Sequence, residues 1–150
     1  MILCKRPGVG LAESTGRLIL MIPVFDEHGY LPLGADLSEV AERFGRQSEL
    51  RLVQMESLSW LVDTARRAGV ARMVLNGSFV TDILEPNDVD CILLAGSDFP
   101  RDANAERELL TGWPFLEIQL VSQEVFDYLA HTFFATDRDG IPKGLVEGIL

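Results

Sequence analysis

The chain has 150 residues, of which 47% are apolar and 24% charged, and its formal net charge is −10. That length and apolar fraction suit one globular domain with a sizeable core, and no apolar run reaches membrane-spanning length. The acidic balance argues against broad electrostatic binding to nucleic acid and suits a partner with a basic surface.

Residues 1–16 are rich in glycine and small residues without periodicity, which predicts a flexible leader ahead of a domain over 17–150. The start Met1-Ile-Leu-Cys-Lys-Arg-Pro7 does not read as a secretory signal, because its apolar part is short and the charges follow it. A cytoplasmic location is the default expectation. Cys4 and Cys91 are divided between a tail and an apolar segment, so neither a disulfide nor a thiolate metal site is expected. His28 and His131 are too far apart in sequence to suggest a histidine metal cluster.

A strand is expected from Arg17 to Phe25, interrupted or ended at Pro23. Asp36 or Ser38 can cap a short helix that runs through Phe44 and stops at Gly45. Ser48 opens a longer helix in which Leu58, Leu61, Val62, Ala65 and Ala68 recur at helical spacing, and Gly69 ends it. The arginines between Arg43 and Arg72 are expected mostly to solvate helix faces. Val70–Leu75 reads as a strand leading to Gly77, and Val89–Leu94 as a second. A helix is expected over Asp102–Leu110, then a cleanly alternating strand, Phe115–Val121, with Leu116, Ile118 and Leu120 on one face and Glu117 and Gln119 on the other. Ser122 can cap a helix through Phe134, Asp137–Gly140 makes a turn, and Lys143–Leu150 can form a last strand. Helices mixed with a small sheet predict an α/β or α+β domain.

The chemistry concentrates between Leu75 and Leu94. Gly77-Ser78 follows one apolar run, a short spacer with the turn signal Pro86-Asn87 comes next, and Asp88-Val89-Asp90 heads a second apolar run. Side chains two apart on a strand share a face, so Asp88 and Asp90 project together while Val89 and Cys91 turn into the core. Two adjacent carboxylates repel and favour a hard divalent cation between them, and Mg²⁺ suits carboxylates combined with substrate phosphates. Gly77 allows close approach of backbone to phosphate. Ser78 offers a hydroxyl, and the amides after it would open a helix whose N-terminus attracts anions. The plainer reading takes Gly-Ser as a turn and Asp88 as the cap of the Pro86-Asn87 turn, in an unrelated α+β domain.

This run resembles the signature of the DNA polymerase β-type nucleotidyltransferase superfamily, in which Gly-Ser, a spacer of similar length and Asp-x-Asp follow one another. The segments Pro23–Pro32, Glu42–Gly45, Gly77–Thr81, Pro86–Asp90 and Lys143-Gly144 are also similar to an uncharacterised family of small bacterial and phage proteins assigned to that fold. The likeness covers most of residues 20–150. It implies a nucleotidyltransferase-like fold, a small mixed sheet flanked by helices, and an Mg²⁺ ion held by Asp88 and Asp90. It also implies a third acid on a neighbouring strand. Glu117 matches that place, although aspartate is the more frequent family choice there, and Glu147 is the next candidate. Gly77 and Ser78 would hold the β- and γ-phosphates of a nucleoside triphosphate, while Lys143 is either a point charge for that triphosphate or a surface residue after the Asp139-Gly140 turn.

The leading expectation is therefore a transferase moving a nucleoside monophosphate from an NTP to a hydroxyl of a protein, an RNA end or a small molecule. By analogy with small superfamily members, a toxin–antitoxin role is included. The alternative is the same fold as a non-catalytic binding or interaction module.

Overall fold

The computed structural model describes residues 11–14, 17–20, 35–81, 83–129, 146–148 and 150. β1 (Leu11–Ser14), which lies in the expected leader, pairs antiparallel with β2 (Arg17–Leu20) of the expected domain. The hairpin thus begins earlier than the strand expected from Arg17. Lys143, His28, His131 and the Asp137–Gly140 turn lie outside the described residues.

Helix α1 (Leu37–Phe44) starts in a capping box. Asp36 Oδ1 accepts from the Glu39 amide at 2.9 Å, and the Glu39 carboxylate accepts from the Asp36 amide at 2.8 Å. Two amides that no helical carbonyl can reach are satisfied in this way. Helix α2 (Glu49–Ala68) begins where Ser48 Oγ accepts from the Arg51 amide, and it ends at Gly69. Gly69 adopts φ 88°, a left-handed cap that a β-carbon would strain, and its N–H closes on the Ala65 and Arg66 carbonyls. The predicted stripe Leu58, Leu61, Val62, Ala65 and Ala68 is buried throughout. Truncating one of these leucines to alanine costs about 2–5 kcal/mol, because a packed core closes a void only in part.

The main sheet runs β5 (Leu116–Val121), β4 (Val89–Ala95), β3 (Val70–Asn76), β6 (Val146–Gly148). β4 and β5 are parallel, while β3 pairs antiparallel with both β4 and β6. One face carries Met73, Leu75, Val89, Cys91, Leu93 and Val146, which pack with α1, α2 and α3 (Ala103–Thr111) into the main core. The opposite face carries a smaller cluster of Val74, Ile92 and Leu94 under Phe126 of α4 (Gln123–Tyr128). The molecule is thus an α+β domain built on a small mixed sheet with helices on both faces, as the element pattern predicts. Among the described residues, no helix is long and apolar enough to cross a membrane.

Two local expectations change. The segment after Gly77 forms only a single 3-10 turn, Ser78–Val80, instead of a short α-helix. The chain there is pinned by side-chain donors from α2, which take up the carbonyls a helix would use. Arg51 also departs from the expected surface role, since it is 1% exposed.

Candidate metal centre

Register brings the acidic residues together. Asn76 pairs with Asp90 across β3 and β4, and Asp90 pairs with Glu117 across β4 and β5. Directly opposed residues share a sheet face, so Asn76, Asp90 and Glu117 form one row. Asp88 precedes Asp90 by one strand period and lies on the same face. Carboxylate oxygens of Asp88, Asp90 and Glu117 all lie within 4.8 Å of one another. α4 covers the Ile92 and Leu94 end of this face through Phe126, and the carboxylates occupy the other end of β4.

Two ionised carboxylates at that separation repel by about 3 kcal/mol at an effective dielectric constant of about 20. Three such pairs amount to a strongly unfavourable concentration of negative charge, which a divalent cation relieves. All the donors are hard oxygens, two half-buried and one exposed, and this donor set fits Mg²⁺ or Mn²⁺ better than a thiolate-seeking metal. Behind them the Cys91 thiol is 1% exposed and points into the core. Burial, followed by the charges of Asp90 and Asp88, pushes its pKa well above the ordinary thiol range.

Gly77 closes the site on the β3 side with φ 77° and ψ −162°, a region that essentially only glycine populates. A β-carbon there would lie 3.0 Å from Asp90 Cγ. Ser78 starts the 3-10 turn, and its carbonyl accepts from Thr81 Oγ1 at 2.6 Å. Because this is one short turn, the expected helix N-terminus for phosphate is not formed at Ser78.

The connector from Ser78 to Asp88 is held by α2. Arg51 Nη1 donates to the carbonyls of Phe44 and Phe79, both at 2.7 Å, and Nη2 donates to the carbonyl of Thr81 at 2.9 Å. Its guanidinium also donates to the Ile83 carbonyl through Nε and Nη2. Ser48 Oγ donates to the Leu84 carbonyl at 2.8 Å, and Gln54 Nε2 to the Pro86 carbonyl at 2.6 Å. Arg51 and Gln54 continue the inward stripe of α2, in the order 51, 54, 58, 61, 65, 68. Extending that stripe toward the helix start is the sequence signal that would have placed them inside. Asn76 also escapes sequence reading, because Asn before Gly looks like a turn dipeptide. It is 1% exposed, and its Nδ2 has no hydrogen-bond partner.

Glu147 does not join the acidic cluster. β6 pairs with β3 and not with β4, and the Glu147 carboxylate is engaged by Arg72 at 2.6 and 3.0 Å. The Arg72 guanidinium also lies 5.0 Å from the centre of the Phe126 ring. Trp60 and Trp113 stack on each other at 4.8 Å between centroids, in keeping with a packing role. A shallow cavity of about 480 Å³ beside Trp113 is lined by Asn104, Arg107, Glu108, Thr111 and Gly112, and shares no residue with the carboxylate cluster.

No curated protein and no solved structure matches this chain. A family model does match residues 23–148, which spans the α1–α4 region, the three carboxylates and β6. The chain belongs to that family, the family of unknown function DUF6932.

Proposed function

We propose that this protein is an Mg²⁺-dependent nucleotidyltransferase-like enzyme that transfers a nucleoside monophosphate from an NTP to a hydroxyl acceptor. The observation that carries the reading is the convergence of Asp88, just before β4, Asp90 on β4 and Glu117 on the parallel β5 within 4.8 Å. The likeness of Gly77-Ser78 and Asp88-Val89-Asp90 to the polymerase β-type signature supports it.

In this mechanism Asp88 and Asp90 would hold the ion, and Glu117 would complete the site or act as base. When bound, Mg²⁺ supplies charge neutralisation at the phosphates and orients the phosphoanhydride. The acceptor oxygen attacks the α-phosphorus, a new P–O bond forms, the α–β anhydride bond breaks, and pyrophosphate leaves with the bonding pair. The acceptor proton passes to a carboxylate, for which the exposed Glu117 is the accessible choice. Gly77 keeps the site's wall free of a side chain, Ser78 borders it, and Lys143 is assigned to the triphosphate only as a point charge suited to phosphate. The acceptor belongs to a protein, an RNA end or a small molecule, and a toxin–antitoxin pairing rests on analogy. A cytoplasmic setting, where NTPs and Mg²⁺ are available, belongs to the same reading.

The second reading is a non-catalytic module on this fold. It is favoured by the single 3-10 turn at Ser78, which lacks the helix N-terminus expected to receive phosphate. Calorimetry with ATP, GTP, CTP and UTP, with and without Mg²⁺, separates the two. The enzyme reading expects Mg²⁺-dependent binding of at least one NTP that is lost in Asp90→Asn. Binding of none of the four in either condition supports the module instead.

A further inference from the structure

We infer that Asn76 is a positioning residue for Asp90, its side-chain amide being the donor that fixes the aspartate's orientation on a bound divalent cation. This rests on the metal-site reading above and assigns a role to a residue outside the carboxylate set.

Asn76 is the last residue of β3, and its Cα partner on β4 is Asp90. The side chain is 1% exposed and Nδ2 has no acceptor. A buried amide donor left without a partner costs about 1–3 kcal/mol, so a native protein rarely keeps one without a use. The neighbours that register places on its face narrow the choice. Val74 and Ile92 are apolar and belong to the cluster under Phe126. Glu147, opposite Val74, is engaged by Arg72. With Asp88 one strand period further along, the carboxylate that register places nearest to Asn76 is that of Asp90, the residue directly opposite on β4.

Its carboxylate sits against the backbone of Gly77, and the final torsion of an aspartate is soft. Rotation about that torsion would present one oxygen to the cation and the other to Asn76. Ligating carboxylates are generally held by such outer hydrogen bonds, and losing one typically lowers metal affinity 10- to 100-fold. An amide is also better here than a carboxylate, because it donates and adds no fourth negative charge to the cluster.

The test is Mn²⁺ binding to the full chain, followed by electron paramagnetic resonance at a temperature where circular dichroism shows each variant folded. Wild type, Asp90→Asn, Asn76→Leu, Asn76→Ala and Asn76→Ser are compared. The expectation is a loss of about tenfold or more in affinity for both Asn76→Leu and Asn76→Ala. Asn76→Ser keeps a donor and stays near wild type. The metal-free melting temperature of Asn76→Leu is not lowered, since an unsatisfied donor has been removed. If Asn76→Leu fails to fold, the smaller Asn76→Ala decides. Wild-type affinity in Asn76→Ala, with binding lost in Asp90→Asn, overturns this inference and leaves the metal site standing. Equal losses in Asn76→Ala and Asn76→Ser also overturn it, because the donor is then irrelevant. No Mn²⁺ binding by wild type overturns the metal reading and this inference together.

Discussion

The backbone of Gly77 packs against the Asp90 carboxylate so closely that a β-carbon at position 77 would sit 3.0 Å from Asp90 Cγ and overlap Oδ2. The glycine of the Gly-Ser motif and the second aspartate of the Asp-x-Asp motif are therefore one steric unit. Gly77→Ala is expected to destabilise the fold by about 1–3 kcal/mol from backbone strain alone, with the clash adding to it. In an Asp90→Gly background the clash disappears and only the strain remains. Urea denaturation of the four members of this double-mutant cycle measures the difference. Additive losses would show that Asp90 does not need the space.

Metal should stabilise the folded protein. A ligand at 100 times its dissociation constant adds about 2.7 kcal/mol to unfolding. Saturating Mg²⁺ should therefore raise the wild-type melting temperature, and EDTA should reverse the shift. Asp88→Asn and Asp90→Asn should abolish most of the response, and Glu117→Gln should weaken it. An unchanged response in Glu117→Gln would make Glu117 an exposed residue outside the site.

Glu147→Gln should leave the Mg²⁺ response intact. Its partner Arg72 is part-exposed, so the pair contributes about 1 kcal/mol or less. A lost Mg²⁺ response in this variant would move the third ligand from β5 to β6.

Arg51→Met should cost about 3 kcal/mol or more, because it removes a buried guanidinium and its hydrogen bonds to the carbonyls of Phe44, Phe79 and Thr81. It should also lower Mn²⁺ affinity, since Asp88 hangs at the end of that connector. Chemical denaturation and metal titration of the same preparation check both effects. Full stability in Arg51→Met would show that the carbonyls find other donors.

The Cys91 thiol should resist iodoacetamide in the native protein and react in urea. It is 1% exposed, and burial raises its pKa. Mass spectrometry of the peptide carrying Cys91 gives the readout, and native labelling would contradict the buried orientation.

The local elements were legible because their signals are local. Ser48 and Gly69 mark the ends of α2 through bonds made within one turn, and of the two caps open for α1 the structure uses Asp36. The alternation from Leu116 to Val121 gave both the strand and the face of Glu117. Asp88 and Asp90 followed from the same period of two. The helix expected after Ser78 is replaced by a single turn because the carbonyls of Phe79 and Thr81 accept from Arg51 of α2, about 30 residues earlier in the chain. No window of neighbouring residues contains that competition.

By itself, the sequence determined which residues carry negative charge, where α1, α2, α3 and α4 begin, and which sides of β4 and β5 face the core. These depend on chain chemistry and on the fixed periods of 2.0 and 3.6. Only the tertiary structure decided which strand lies beside β4, and so which glutamate joins the cluster. Strand order is set by non-local pairing, which placed Glu117 opposite Asp90 and gave Glu147 to Arg72. The partners of the Arg51 guanidinium were decided there too, because the carbonyls of Phe44, Phe79 and Thr81 are brought to it by folding.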